Sequence, residues 1–184
     1  AKGRSACFYH CLNGTCKALL IKNRCHNDTN YLTIKSRNTM NEIKFYSTQD
    51  EFGEFSNFAY FPIKLDGKLW HTTEHYFQAQ KFADEHYQEK IRAEKSPMLA
   101  ARLGRDRKQK LRKDWQSVKN NVMKKALMAK FSQHDDLKIL LLSTGEAKLI
   151  EHTENDAYWG DGGDGKGKNY LGILLMQVRE EISQ

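Results

Sequence analysis

The sequence has little proline and no long apolar run. Only two of its 184 residues are proline, which argues against a proline-rich linker protein. No stretch approaches the roughly 20 apolar residues that a membrane-spanning helix needs. These features exclude a collagen, a coiled coil and a transmembrane protein, and we expect no membrane partner. The hydrophobic share of 39% and the charged share of 29% are typical of one globular domain with a sizeable core.

Cysteine is absent from residues 40–184, and the first 39 residues contain all four: Cys7, Cys11, Cys16 and Cys25. These are enough ligands for zinc, although their spacing fits no standard zinc pattern, and disulfides are the alternative in an oxidising compartment. The apolar run 18–21 is too short for a signal-peptide core, and we expect a cytoplasmic protein. Met40 precedes a chain of different character, so we interpret residues 1–39 as an extension that is disordered or derived from an upstream start or a cloning vector.

The formal charge of +7 is unevenly distributed. Residues 1–39 carry seven lysines and arginines against one acid, whereas residues 40–184 are nearly neutral. Within that second range, residues 92–130 hold 13 basic side chains and three acidic ones, and the segments on both sides are acidic. This pattern favours a site for an anionic ligand such as a phosphate over a nucleic-acid footprint that covers the whole protein.

Hydrophobic periodicity in residues 40–184 predicts a single α+β domain that is mostly helical with a small sheet. Strands are expected at 43–47 and 149–152, and in a hairpin over 63–70 with Asp66-Gly67 at its turn. Helices are expected over 73–83, 85–94, 96–104, 114–131, 135–142 and 170–182. The expected N-terminal signals are Thr72-Thr73 for the first helix, Ser96-Pro97 for the third and Asp114 for the fourth.

The helix over 73–83 has a polar stripe that could contact a ligand. Glu74, Gln78 and Lys81 fall on one face of a helix otherwise rich in aromatic side chains. Glu74 and Lys81 lie about 10 Å apart along the axis, so they could contact opposite sides of one small molecule. The alternative is a solvated stripe on a half-buried helix.

Two further segments offer candidate ligand contacts. Asp156 stands three residues before Trp159 in a predicted loop, where the acid could hold or activate a sugar hydroxyl or water and the indole could offer a flat face to a base. The alternative is that Trp159 belongs to the core and Asp156 to a turn. In the basic stretch 102–113, Arg105 is the best-placed phosphate ligand. The glycine-rich loop 160–168 lacks the Ser or Thr of a nucleotide-binding P-loop, which excludes an NTPase.

Five segments, in this order, resemble the YbiA-like, or NADAR, family: 45–47, 54–58, 73–82, 101–105 and 155–160. The resemblance covers about residues 44–182 and leaves 1–39 outside. It implies a YbiA-like fold and hydrolysis of N-glycosidic bonds. The implied substrates are ribosylated aminouracil phosphates of the early riboflavin pathway and, for relatives, ADP-ribosylated guanine bases, also within nucleic acid. Both are a flat nitrogen base on an anionic ribose.

The resemblance also implies roles for the candidate residues. Glu74 is expected near the ribose as a base or charge stabiliser, because the sugar becomes oxocarbenium-like as the C1–N bond breaks. Asp156 is expected to hold or activate a hydroxyl or water, and Lys81 is the alternative nucleophile, forming a Schiff base with C1 of the opened sugar. The expected substrate contacts are Trp159, Tyr46, Ser56, Asn57, Arg105 and Gly160.

No cofactor is implied by the resemblance, and the chemistry requires no metal. The competing class of function is a non-catalytic module that binds ADP-ribose or another nucleotide. The substitution Glu74→Gln separates the two classes, because a binding module should keep its ligand whereas an enzyme should lose turnover and keep affinity.

Overall fold

The structure is a computed structural model that describes residues 11–12, 15–16 and 41–184. The chain divides into two units, residues 1–37 and 38–184. In the first unit, β1 (Cys11–Leu12) pairs antiparallel with β2 (Thr15–Cys16). The predicted zinc or disulfide chemistry of the four cysteines involves side chains outside the described part of the chain, and so does the prediction of a disordered extension.

The second unit is mostly helical with small sheets, which confirms the predicted α+β class. β3 (Glu42–Phe45) pairs in parallel with β6 (Lys148–Glu151). β4 (Ile63–Leu65) and β5 (Lys68–Trp70) form an antiparallel hairpin. The helices are α1 (Thr73–Ala79), α2 (Glu85–Arg92), α3 (Pro97–Leu103), α4 (Trp115–Gln133), α5 (Asp135–Ser143) and α6 (Tyr170–Ser183).

Local signals in the sequence set several of these boundaries. Asp66 and Gly67 both have positive φ, 52° and 74°, as a two-residue hairpin turn requires. The hydroxyl of Thr72 accepts the backbone N–H of His75 at 3.3 Å and starts α1. Ser96 caps α3 in the same way. These three predictions are confirmed.

Two predictions at helix ends are wrong: the end of α1 and the side-chain cap of α4, although α4 does begin after Asp114 as predicted. α1 ends at Ala79 rather than near residue 83, because Phe82 forms a β-bridge with Leu111 and the carbonyl of Lys81 accepts the N–H of Arg112 at 2.8 Å. Asp114 makes no side-chain cap on α4, since its carboxylate forms a bidentate pair with Arg112 at 2.6 and 2.8 Å. In both places a contact with the 111–112 segment replaces the expected local geometry.

α1 lies between two clusters of the hydrophobic core. Phe77 joins a cluster with Phe55, Trp115 and residues of α4, α5 and α6, whereas Tyr76 packs into a second cluster with Ile63 and Trp70. All seven residues of α1 are therefore buried, including its polar ones. None of the helices in the described residues is long and apolar enough to cross a lipid bilayer.

Candidate active site

Glu74 is a buried carboxyl group with polar neighbours on several sides. The residue is only 6% exposed, and one carboxyl oxygen accepts a hydrogen bond from Gln78 Nε2 at 2.7 Å. Burial raises the pKa of Glu74, while this hydrogen bond and the charges of Lys81 and Arg105 act in the opposite direction. The polar stripe of α1 is thus enclosed in the protein, and the alternative of a solvated stripe is wrong.

Lys81 lies just beyond the end of α1 and is half-buried. Its Nζ donates to the carbonyl oxygen of Gly104 at 3.2 Å and lies 5.5 Å from the ring centroid of Phe77. Burial lowers the pKa of Lys81, and the positive charges of Arg105 and Lys119 lower it further, against the opposing effect of Glu74. A lower pKa increases the fraction of neutral amine, the form that attacks a carbonyl carbon.

Gln78 connects Glu74 to the end of α3. A Cβ atom at Gly104 would lie 1.8 Å from Gln78 Oε1 and 2.5 Å from Cδ, so a side chain at that position would have to displace this amide. Gln78 Oε1 is itself a buried acceptor that has no hydrogen-bond partner in the described part of the chain. The amide is held by close packing on one side and by the Glu74 carboxyl on the other.

Asp156 and Trp159 are fixed to each other by a tight turn. Asp156 Oδ1 accepts the backbone N–H groups of Tyr158 at 2.7 Å and Trp159 at 2.8 Å. Trp159 is half-buried and packs edge-to-face on Phe77, with ring centroids 5.2 Å apart. Asp156 is thus a turn residue, and its charge also raises the pKa of Glu74. The structure brings Asp156 and Trp159 to the same site as α1.

Glu151 is a fourth ionisable group of this site, and the sequence analysis did not assign it a role. It ends β6, opposite Phe45 of β3, so it lies at the edge where the carboxyl ends of both parallel strands meet. Burial raises the pKa of Glu151 to about 7, and the charges of Asp156, Glu74 and Asp161 act in the same direction. A carboxyl group whose pKa is shifted this far by burial and by neighbouring charges is a candidate for a functional role.

Two of the remaining predicted contacts have exposed or half-exposed positions around the site. Tyr46 follows β3 and is 47% exposed, and its hydroxyl accepts from Asn155 Nδ2 at 3.3 Å. Arg105 follows α3, where its Nε donates to the carbonyl of Ala101 at 3.1 Å. Its positive charge lowers the pKa of both Glu74 and Lys81.

The other three predicted contacts make their hydrogen bonds and packing inside the protein. Ser56 Oγ accepts the N–H of Phe58 at 3.3 Å. The backbone carbonyl and side-chain Oδ1 of Asn57 each accept from the Thr73 hydroxyl at 3.2 Å. A Cβ on Gly160 would meet the carbonyl of Glu151 at 2.7 Å. These three residues shape the backbone around Glu74 and Glu151.

A cationic surface borders the site on the side of α4. Lys119 Nζ lies 3.6 Å from the ring centroid of Tyr158, and Lys168 Nζ lies 5.4 Å from it. Because the charge of Lys119 also lowers the pKa of Lys81, Lys119 extends the positive region formed by Lys81 and Arg105. Lys119 belongs to the basic range 92–130, but only its side of α4 could have distinguished it from the other lysines there.

An open groove lies apart from this site. It has a volume of about 520 Å³ and follows another side of α4. Its lining includes Lys124, Lys125 and Glu181 and contains none of the predicted site residues. Across the residues that the structure describes, no group of three His, Cys, Asp or Glu side chains is arranged to hold a metal ion.

Comparison with known proteins decides the family. Residues 44–183 match the NADAR domain. The chain belongs to the NADAR family. This NADAR chain is 67% identical over 141 residues to the N-glycosidase YbiA of Escherichia coli K12. The aligned region covers 77% of this chain and 88% of that protein. It is 41% identical over 151 residues to a riboflavin biosynthesis protein of Vibrio vulnificus, covering 82% of this chain and 41% of that protein.

The NADAR fold is also found in a solved structure. The NMR structure of E. coli YbiA matches this chain with a TM-score of 0.75 at 64% identity, covering 82% of this chain and 90% of that one. The resemblance and the α+β fold predicted from sequence motifs are both confirmed by these comparisons.

Proposed function

We propose that this chain hydrolyses the bond between a nitrogen base and C1 of an anionic ribose, in ribosylated aminouracil phosphates and in ADP-ribosylated guanine. The coarser statement, that the chain is a hydrolase acting on N-glycosyl bonds, follows from its 67% identity to an N-glycosidase over most of its length. The name of the Vibrio relative, a riboflavin biosynthesis protein, supports the first substrate. Cytoplasmic location stays a prediction.

The observation that carries the proposal is the buried Glu74 carboxyl beside Lys81, Arg105 and Asp156. Departure of the base leaves positive charge on the ribose, which a nearby carboxylate stabilises. The charges of Lys81 and Arg105 oppose, without cancelling, the rise that burial causes in the pKa of Glu74, and so favour its ionised form. Asp156 is then available to orient or deprotonate the water that adds to C1.

Lys81 supports a second route through the same site. With its pKa lowered by burial, its neutral amine adds to C1 of the ring-opened sugar, and the base leaves as an imine forms; water then hydrolyses the imine. The phosphate of either substrate fits the positive region of Arg105 and Lys119. The exposed part of Trp159 is the platform for the base.

The first test is release of free base, followed by mass spectrometry, from an aminouracil ribosyl phosphate and from ADP-ribosylated guanosine. We expect release from at least one, and the ratio of the two rates identifies the preferred substrate. Glu74→Gln should lower kcat by at least about 100-fold with little change in substrate Kd. Glu89→Gln, which alters an exposed ion pair on α2, is the matched control.

The two routes are separated by borohydride trapping. A covalent adduct on Lys81 after reduction supports the imine route. Absence of any adduct, together with full activity of Lys81→Ala, would contradict it and leave direct attack of water. No release of base from either substrate, with binding intact, would instead support a nucleotide-binding module.

A further inference from the structure

We propose that Glu151 is the general acid that protonates the departing base. This inference rests on the proposed function and adds a catalytic residue to it. The roles given above to Glu74, Asp156 and Lys81 all concern the sugar or the attacking water. None of them supplies a proton to the nitrogen that carries away the electron pair of the C1–N bond.

The backbone holds Glu151 in place from both sides. Its N–H donates to Asn169 Oδ1 at 3.0 Å, and its carbonyl accepts the N–H of Asp161 at 2.9 Å. The second bond closes the loop 151–161, which carries both Asp156 and Trp159. The Glu151 side chain thus starts at the base of the loop that presents the proposed platform for the base.

The Glu151 carboxyl itself is free to contact a ligand. It is half-buried, and no hydrogen bond or ion pair to it is present among the described residues, in contrast to the Glu74 carboxyl, which is bonded to Gln78. A carboxyl group with this exposure can reach a substrate atom without first breaking a protein contact.

Burial and the surrounding charges together leave Glu151 partly protonated at neutral pH. Asp156 and Asp161 on the following loop and Glu74 on α1 face it, and their charges add to burial in raising its pKa to about 7. Its partner in β3 is the apolar Phe45. On the other side of the site, the positive charges of Lys81 and Arg105 lower the pKa of Glu74. The site therefore has an acidic side with a partly protonated carboxyl and a cationic side, which matches a substrate with a base at one end and a phosphate at the other.

In the proposed step, Glu151 donates the proton and a water molecule supplies the oxygen. The proton of the Glu151 carboxyl passes to a nitrogen of the base as the electron pair of the C1–N bond moves onto that base. Glu151 becomes a carboxylate, and the oxygen of a water molecule bonds to C1 while its released proton goes to a carboxylate of the site. Proton exchange with solvent restores Glu151, and the products are the neutral base and the free ribose phosphate.

The test measures kcat of the full chain and of its Glu151→Gln variant on two substrates. One is the aminouracil ribosyl phosphate, whose base needs a proton to leave. The other is 4-nitrophenyl riboside 5-phosphate, whose nitrophenolate leaves without one. We expect kcat to fall by about 10² to 10⁴-fold on the first substrate and by less than about fivefold on the second. Glu154→Gln, an exposed carboxylate of the same loop, should change neither rate.

A pH profile of the unaltered protein gives a second measurement that does not depend on the folding of a variant. Because a general acid must be protonated, kcat/KM on the aminouracil substrate should fall as pH rises through about 7, and this limb should be missing with the nitrophenyl substrate. The same limb with both substrates, or equal losses on both in Glu151→Gln, overturns the role of Glu151. If the unaltered protein cleaves neither substrate, the proposed function itself fails, and the inference fails with it.

Discussion

Gly104 and Gln78 are packed so closely that a side chain at position 104 has to displace the amide. The backbone at Gly104 has φ −65°, which any residue adopts, so the cost of Gly104→Ala arises from the contact at 1.8 Å with Gln78 Oε1. Because Gln78 Nε2 is bonded to Glu74, we expect kcat to fall on the order of 100-fold, measured as base release, with substrate Kd nearly unchanged.

A double-mutant cycle with Gln78→Ala checks this cause. Gln78→Ala alone should lower kcat, since it removes the hydrogen bond to Glu74. Adding Gly104→Ala to that variant should cost less than about threefold, because the clashing amide is gone and coupled residues are not additive. Equal losses from Gly104→Ala in both backgrounds would show that the close contact is unimportant.

At the scale of elements, α4 presents lysines on different sides, and we expect their substitution to have different effects. Lys119 lies over the Tyr158 ring beside the site, whereas Lys124 is paired with Glu181 on the groove side. Since a charged hydrogen bond contributes about 1.5–3 kcal/mol, Lys119→Ala should raise KM for a ribosyl phosphate by roughly 10- to 100-fold. It should have little effect on the unphosphorylated riboside. Lys124→Ala is the control, and an equal KM increase in both variants would argue against a phosphate contact at Lys119.

Lys130 connects α4 to the segment that supports α1. It is fully buried, and its Nζ donates to the carbonyls of Glu54 at 2.5 Å and Ser56 at 3.0 Å. Burial lowers the pKa of Lys130 from its ordinary 10.5 to about 7. Between pH 7 and 10.5 the unfolded chain binds a proton at this position that the folded chain does not bind, so the free energy of unfolding should rise with pH over this range.

Denaturant unfolding at pH 7, 8 and 9 measures this rise. Lys130→Met should remove it. At pH 9, where the native amine is mostly neutral, Lys130→Met should also be less stable by about 1–3 kcal/mol, because two buried carbonyls lose their donor. Lys108→Met, at an exposed lysine, should keep the pH dependence. A rise that persists in Lys130→Met would assign it to another group.

The elements also show which features the sequence could predict. The start of α1 was predictable because Thr72 caps it locally, and the polar side of α1 was visible as a spacing of residues. The end of α1 was not, because it depends on Leu111 and Arg112, a separate segment of the chain. Glu151 was missed for the same reason: its place in the site follows from the parallel pairing of β6 with β3, two strands far apart in the sequence.

At the scale of the whole molecule, most of the net positive charge lies in a different part of the chain from the proposed site. Every residue of the proposed site lies in 41–184, and the NADAR match begins at residue 44. Residues 1–39 carry seven basic side chains and one acidic one, which account for most of the formal net charge of +7. We therefore expect a chain of residues 40–184 to keep kcat/KM on the ribosyl phosphate within about twofold of the full chain.

Binding to duplex DNA should respond in the opposite way to the same truncation. Nonspecific affinity depends on the number of phosphates that basic side chains neutralise, and it falls steeply with salt. The full chain should bind a short duplex at low salt with a negative slope of log K against log [salt], and residues 40–184 should bind far more weakly with a slope near zero. A truncated chain that keeps both its DNA affinity and its salt slope would place the DNA contacts in the basic range 92–130. In that case the positive region around Arg105 and Lys119 would have to accommodate nucleic acid as well as a small phosphate, and competition between the duplex and the ribosyl phosphate for turnover would reveal the shared surface.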